Sequence, residues 1–336
     1  PGATVTLYAI WNPYRATGDT IAPTLRYDFD ADSGTSVVDG SGGSLGGTWV
    51  GTPAYVDGVT GRAASMSGGA NYVKLPLKAG LTDASGSFSY SFWMQEQSRT
   101  SYGPFVSNQD FVSCNNAGLS IYNQATQGVL EACWGQSAGG TREYIHGGSG
   151  VLTGAWHYLS VVVDRAANTL TLYVDGTQTA TQPTGSVTAS TLFTSGLAFN
   201  IGGLGGSETD TSDGYSNFWV DDFDYYAAAV PAAQIANDWA ATRPAAIHYT
   251  IAFDGNGATD GSMPPQQMTS YTPAPLATNA FVRPGYSFGG WATTPGGDAT
   301  YADRQSVSDL TATADATVTL YAVWMRIQPS DAGFIT

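Results

Sequence analysis

Residues 154–176, GAWHYLSVVVDRAANTLTLYVDG, hold two short apolar, β-branched runs separated by turn residues. The second run, TLTLYVDG, alternates as a strand with one buried face does. Working outward, runs of the same kind recur at roughly 10 to 20 residue spacing between residues 14 and 245. They are LRYDF, AASMSG, YVKLPL, FSYSFWMQ, GPFVSN, GLSIYNQ, GVLEACWG, LAFNIGG and FWVDDFDYY, which makes eleven expected strands and argues for a two-sheet sandwich. One stretch reads as helix, VPAAQIANDWAATRP. Pro231 takes its first position, Ile235 and Trp239 share a face four residues apart, and Pro244 stops it.

Composition agrees with this all-β reading. The chain has 336 residues, room for two units with cores of their own, and 42 glycines beside 19 tyrosines and 9 tryptophans describe half-buried strands between tight turns. With 27 acidic against 12 basic side chains the net charge is −15, and the lysines are Lys74 and Lys78 alone. Binding of nucleic acid through a basic face is therefore disfavoured. No run approaches the ~18 consecutive apolar residues of a membrane span, so no membrane insertion is expected. The opening PGATVTLYAIW lacks the basic and apolar regions of a signal peptide and reads as a piece of something longer. A monomer is expected.

The stretch ATVTLYAIW at Ala3–Trp11 returns as ATVTLYAVW at Ala316–Trp324, with eight of nine residues the same. In the second copy Val318, Leu320, Ala322 and Trp324 alternate with Thr317, Thr319, Tyr321 and Val323, and Gly285, Gly289 and Gly290 mark turns ahead of it. Together with YTIAFDGNG and RPGYSFGGWATTPGG, this strand resembles the end of the β-grasp B-repeat found in tandem on bacterial surface proteins. The resemblance implies one repeat over residues 246–326, the last strand of a preceding repeat over 1–13, and a linker or the next segment over 327–336. Such repeats are spacers. The Gly, Asn and Asp of FDGNGATDG are read as turn chemistry rather than as metal ligands.

Three segments of the larger unit, residues 14–245, resemble in order the laminin-G-like, concanavalin-type jelly roll of secreted bacterial proteins. They are YDFDADSG with GVTGRAASMSGGANYVKLP, then GAWHYLSVVVDRAANTLTLYVDG, then FWVDDFDYYAAAVPAAQI. The resemblance implies an all-β, concanavalin-like two-sheet β-sandwich, with Trp156 and Tyr173 as core residues, ahead of the small β-grasp-like repeat. It also implies an extracellular, secreted or cell-wall-attached protein. Such folds serve as carbohydrate-binding modules, lectins, protein-binding modules and some glycoside hydrolases, so the residues must choose.

They argue against hydrolysis. A retaining glycosidase needs two carboxyl groups about 5 to 5.5 Å apart. None of the four glutamates, Glu96, Glu131, Glu143 and Glu208, has a carboxylate partner at the spacing of an E-x-D-x-E array. GQSAG at Gly135–Gly139 fits G-x-S-x-G but joins two expected strands instead of a strand and a helix, and GGLGG at Gly202–Gly206 lacks a following helix. His146, His157 and His248 are too scattered for zinc. No catalytic residue is assigned, and a parent glycoside hydrolase would carry its catalytic domain elsewhere.

Calcium is the stronger case. Asp28, Asp30 and Asp32 take positions 1, 3 and 5 of an oxygen cage with Asp39 at position 12, although Ser33 in place of glycine and a strand in place of a helix argue against an EF-hand. In resembling jelly rolls a calcium ties the first strand region to the last, and Asp221 matches the late acid. By alternation Asp221 shares a face with Phe223 and Tyr225, so a core-facing Phe223 would bury Asp221, which then needs a partner or a metal. A structural Ca2+ is expected on Asp28, Asp30 and Asp221, with Asp32 or Asp39 as further ligands. The alternative is ordinary surface acids and a hydrogen-bonded Asp221. ETDTSD at Glu208–Asp213 reads as a solvated loop. Cys114 and Cys133 flank the hairpin GLSIYNQATQGVLEACW, and in an extracellular setting they would pair, adding on the order of 3 kcal/mol. A turn near Ala125 would oppose Cys133 to Gly118 and leave Cys114 in the adjoining loop.

A sugar ring lies on an aromatic face with amides or carboxylates at its edge. Those groups concentrate between residues 106 and 135, which makes Asn108, Asp110, Asn116, Tyr122 and Trp134 the glycan-binding candidates. The expected function is a non-catalytic glycan-binding module with a spacer repeat. The alternatives are an adhesin segment for a host or partner protein and a purely structural spacer.

Overall fold

The structure, a computed structural model, describes residues 21–66, 71–76, 86–98, 103–109, 118–124, 129–135, 142–148, 151, 154–184, 197, 199–204, 217–311 and 313–327. The chain divides into two compact units, residues 1–244 and 245–336. The strand expected over residues 3–11 lies outside the described residues.

The first unit holds β1 (Leu25–Tyr27), β2 (Ser36–Val37), β3 (Gly47–Val50), β4 (Tyr55–Asp57), β5 (Arg62–Ser65) and β6 (Tyr72–Lys74). There follow β7 (Phe88–Ser98), β8 (Pro104–Ser107), β9 (Gly118–Gln124), β10 (Val129–Gly135) and β11 (Arg142–Gly147). The rest are β12 (Trp156–Asp164), β13 (Thr169–Val174), β14 (Thr177–Pro183), β15 (Asn200–Ile201), β16 (Asn217–Tyr226) and the helix α1 (Ala232–Thr242). They form two sheets of eight strands. The first runs β14-β13-β12-β7-β16-β5-β4 with β1 on β16, and the second runs β11-β10-β9-β8-β15-β6-β3-β2.

Alternation along the strands builds the core between the sheets. Phe88, Tyr90, Phe92 and Met94 of β7 and Leu159, Val161 and Val163 of β12 meet Ile121 of β9 and Leu130, Ala132 and Trp134 of β10 in one buried cluster. The residues between them point outward. On the first sheet α1 covers part of that outer face, where Trp93, Tyr158, Tyr173, Tyr226 and Ile235 form a second cluster and Trp93 Nε1 donates to Thr242 Oγ1 at 3.0 Å. Tyr173 is thus buried in the cluster on the helix side, with the half-buried Trp156 packed against it on the adjacent strand. Helix α1 begins one residue after Pro231, which is its N-cap.

The late strand β16 carries a bulge. Asp221 opposes Trp93 and Asp224 opposes Ser91, so three steps on β16 match two on β7, and Asp222 at the extra position has φ +47°. The extra residue reverses the alternation: Phe218 and Val220 point into the core before it, Phe223 and Tyr225 after it. Asp221 thus lies on the face opposite to Phe223, which corrects the simple parity expected from FWVDDFDYY. After the bulge Asp224 accepts both Arg26 Nε and Arg26 Nη2 at 2.7 Å inside the protein, fastening β1 to β16.

The second unit holds β17 (His248–Asp254), β18 (Gln266–Thr269), β19 (Ala274–Pro275), β20 (Tyr286–Ala292), β21 (Ser306–Val307) and β22 (Thr317–Arg326). Its main sheet runs β18-β17-β22-β20, with β17 and β22 parallel. Leu320 and Ala322 are buried and Val318 and Trp324 pack beside them, on the face that the alternation of the repeated strand assigns to the core. Trp291 is the fully buried centre, ringed by Phe253, Phe281 and Phe288. In FDGNG the Asp254 carboxylate accepts the Asn256 N–H at 2.7 Å while Asn256 Nδ2 donates to Ala322 O, so these residues make a turn that ties β17 to β22.

Candidate functional site

Two places in the first unit carry chemistry. One is the corner where the loop after β1 meets the bulge of β16. The carboxylate of Asp221, fully buried, accepts Val59 N at 2.8 Å and Thr60 N at 3.1 Å on Oδ2 and Asp222 N at 2.8 Å on Oδ1. Burial raises its pKa, and the charge of Asp222 raises it further against those N–H donors. Asp222 is also pushed up, first by burial and then by Asp224, partly offset by Arg26, with Asp28 and Asp30 adding to the repulsion.

Around the same loop Asp28 Oδ1 accepts Asp30 N at 3.1 Å, and Asp30 Oδ1 accepts Arg62 N at 2.7 Å. Arg62 Nη2 donates to the carbonyls of Phe29, Asp30 and Asp32. A guanidinium therefore already gathers the backbone oxygens of this turn. Asp32 accepts Val38 N and the Tyr55 hydroxyl. Partial burial opposes ionisation of Asp39, yet the Ser41 hydroxyl and the N–H groups of Leu45, Ser41 and Arg26 outweigh it and hold its pKa low.

Against the expected calcium, Asp221 already has three of its carboxylate's lone-pair sites taken by backbone N–H groups. Asp222, which sequence parity passed over, is the late acid that faces Asp28 and Asp30 electrostatically. Among the described residues no group of three or more His, Cys, Asp or Glu side chains is placed to hold a metal ion.

The other place is the outer face of the second sheet. The registers align Thr48, Lys74, Asn200, Ser107, Ser120, Cys133 and Tyr144 in one row across six neighbouring strands and their edge. Opposed residues of antiparallel strands share a face, so this is a continuous polar stripe. Its middle is buried, and among the described residues Ser120 Oγ, Asn200 Oδ1 and the neighbouring Asn108 Nδ2 have no hydrogen-bond partner. One step along lies a second row, Tyr122, Glu131 and His146. The Tyr122 hydroxyl donates to Glu131 Oε1, and His146 Nε2 donates to Glu131 Oε2 at 2.6 Å.

At the sheet's edge this face becomes accessible. Tyr144 is 51% exposed, and its ring lies 5.4 Å from that of His146. Beside them opens a cleft of about 470 Å³ lined by Val129, His146, Gly147, Gly148, Val174 and Thr179. An exposed aromatic pair whose imidazole is held by a buried carboxylate can stack on one ring of a polar ligand and meet its polar rim.

The structure places the sequence candidates differently. Trp134 points into the sandwich core and is fully buried, with Nε1 donating to Thr184 O at 3.3 Å, so it offers no open face. Tyr122 is on the outer face but its ring is buried beside Cys133 and Leu204. Asn108 is buried with Oδ1 accepting Leu119 N at 2.7 Å. Asp110, Cys114, Asn115, Asn116 and the ETDTSD stretch lie outside the described residues. The hairpin register opposes Cys133 to Ser120, two residues away from the expected Gly118. Tyr144, His146 and Glu131 were missed, although the Y-x-H alternation of REYIHG opposite an acid was visible.

Residues 67–236 match the family described as the concanavalin A-like lectin/glucanases superfamily, and residues 249–323 match the Listeria-Bacteroides repeat domain. A comparison with curated protein sequences gives no match. Among solved structures, the binding domain of Paraclostridial Mosquitocidal Protein 1 is similar at 13% identity and a TM-score of 0.52, over 76% of this chain and 65% of that one. A structure of botulinum neurotoxin type C, whose cell entry is dependent upon interaction with two ganglioside molecules, is similar at 14% identity and TM-score 0.52, over 74% and 61%. The binding domain of botulinum neurotoxin DC in complex with rat synaptotagmin II gives 14% identity and TM-score 0.51, over 84% and 64%. The chain spans less than two thirds of each of these, and at such identities the likeness is one of fold.

Proposed function

Because the chain belongs to the concanavalin A-like lectin/glucanases superfamily and continues into a Listeria-Bacteroides repeat, we propose that it is a non-catalytic glycan-binding module of a secreted or surface-attached bacterial protein. The observation that carries this reading is the exposed Tyr144–His146 pair at the end of the polar row. The C–H face of a sugar ring stacks on Tyr144, and His146, held in place by Glu131, meets the ring's polar rim. Glu131 and Glu143 do not make a hydrolytic pair. Glu131 shares the outer face with His146, whereas Glu143 opposes core-facing Trp134, so the two acids point to opposite sides of the sheet and cannot flank one bond.

Three further parts belong to the proposal. A structural calcium would draw Asp28 and Asp30 together with Asp222 in place of Asp221, relieving their mutual repulsion. Cys133 pairs with Cys114, the other cysteine of the chain. The repeat acts as a spacer that holds the module away from its attachment.

Screening against a glycan array, followed by calorimetry on the best ligand, tests the reading. Tyr144→Ala should weaken binding at least about ten-fold, the loss expected for one aromatic stacking partner. Silence on glycans combined with saturable binding to a protein would replace this reading with that of an adhesin segment.

A further inference from the structure

The outer face of the first sheet carries a second aromatic arrangement. Registers pair Trp156 with Gln95 and Gln95 with Trp219, two residues along from the Tyr158–Trp93–Asp221 row. The two indoles therefore flank one amide from the strands on either side. Both are half-buried, with ring centroids 6.4 Å apart and planes inclined at 44°. Trp156 rests on the apolar cluster under α1. Trp219 belongs to no apolar cluster, and among the described residues Trp156 is the ring it touches.

Between them Gln95 Nε2 donates to Gly154 O, while Gln95 Oε1 is buried and has no donor among the described residues. A buried acceptor in that state is costly, so something that offers a hydroxyl or N–H would be retained there. The row ends on Ser65, and none of its members is charged in a molecule of net charge −15. A neutral ligand with an apolar face and a rim of hydroxyl donors matches every member of the row.

We propose that Trp156, Gln95 and Trp219 form a second binding site, for a neutral sugar ring, on the sheet opposite to the Tyr144 face. The ring's C–H face lies on the Trp219 indole and one hydroxyl donates to Gln95 Oε1. Strands two places apart stand roughly 10 Å from each other, so turning the Trp219 ring outward opens the way to that oxygen. The module would then hold saccharide on both outer faces.

Indole fluorescence of the intact chain, titrated with neutral xylo-, cello-, manno-, galacto- and arabino-oligosaccharides, tests this in a Tyr144→Ala background. A saturable spectral change is expected for at least one of them. Trp219→Ala should abolish it, Trp219→Phe should keep most of it, and Gln95→Leu should weaken affinity about ten-fold, all with melting curves close to that of the parent. No saturable change with any of these sugars, or unchanged affinity in Trp219→Ala, would overturn the proposal. Binding that survives Tyr144→Ala without loss but vanishes in Trp219→Ala would sink the Tyr144 reading and leave this one standing.

Discussion

Replacing Asp221 by alanine removes the acceptor for three backbone N–H groups, those of Val59, Thr60 and Asp222. Each buried donor left without a partner costs about 1–3 kcal/mol. Thr60 is exposed and Val59 only half-buried, so water can serve part of that turn, and the sum falls to about 3–5 kcal/mol. For a unit of this size that lowers the melting temperature by about 10 °C. Asp221→Asn keeps one oxygen but turns an amide N–H toward the Asp222 N–H, and should fall between alanine and the parent.

The pH dependence carries a second signature. Burial raises the folded-state pKa of Asp221 above its unfolded value, so the native state binds the extra proton. Its contribution is fully present below the ordinary carboxylate range and is lost as pH rises through the raised pKa. In metal-free buffer the parent should therefore lose stability from mildly acidic toward neutral pH, and Asp221→Asn should lose less over that window. Differential scanning calorimetry at several pH values reads both effects. An Asp221→Ala chain melting within about 2 °C of the parent, less than 1 kcal/mol, would refute the view that this carboxylate holds the bulge together.

Calcium at saturating concentration should raise the first unit's melting temperature, by about 2.7 kcal/mol of stabilisation at a hundred times the dissociation constant, and should do nothing for Asp222→Asn. Chelator titration in a thermal shift assay checks it. Alkylation with and without prior reduction, read by mass spectrometry, should show Cys133 protected until reduced, and Cys133→Ser should cost on the order of 3 kcal/mol. Trp291→Ala should remove about 3–5 kcal/mol from the second unit, seen as an early transition in calorimetry.

Much of this architecture was legible because apolar alternation is a local signal. WHYLSVVVD, TLTLYVDG and GVLEACWG became β12, β13 and β10 almost residue for residue. The strand β14, TQTATQP, was not, since an edge strand with mostly exposed polar residues has no core-facing apolar set to betray it. The face proposed for binding was harder still. Whether Trp134 or Tyr144 meets solvent depends on which side of the sheet each occupies, and that is fixed by pairing across strands far apart in the chain. The bulge at Asp222 shows the same limit from the other side, because one inserted residue reverses every parity argument beyond it. Chemistry that rests on residue type, such as four glutamates without strand-spaced partners, needed no register at all.

The stripe from Thr48 to Tyr144 takes one side chain from each strand it crosses. Only its two ends, Thr48 and Tyr144, are exposed, while Asn200, Ser107, Ser120 and Cys133 between them are buried. Variation at the ends can therefore re-spell the rim of this face without reinventing how the sheet folds.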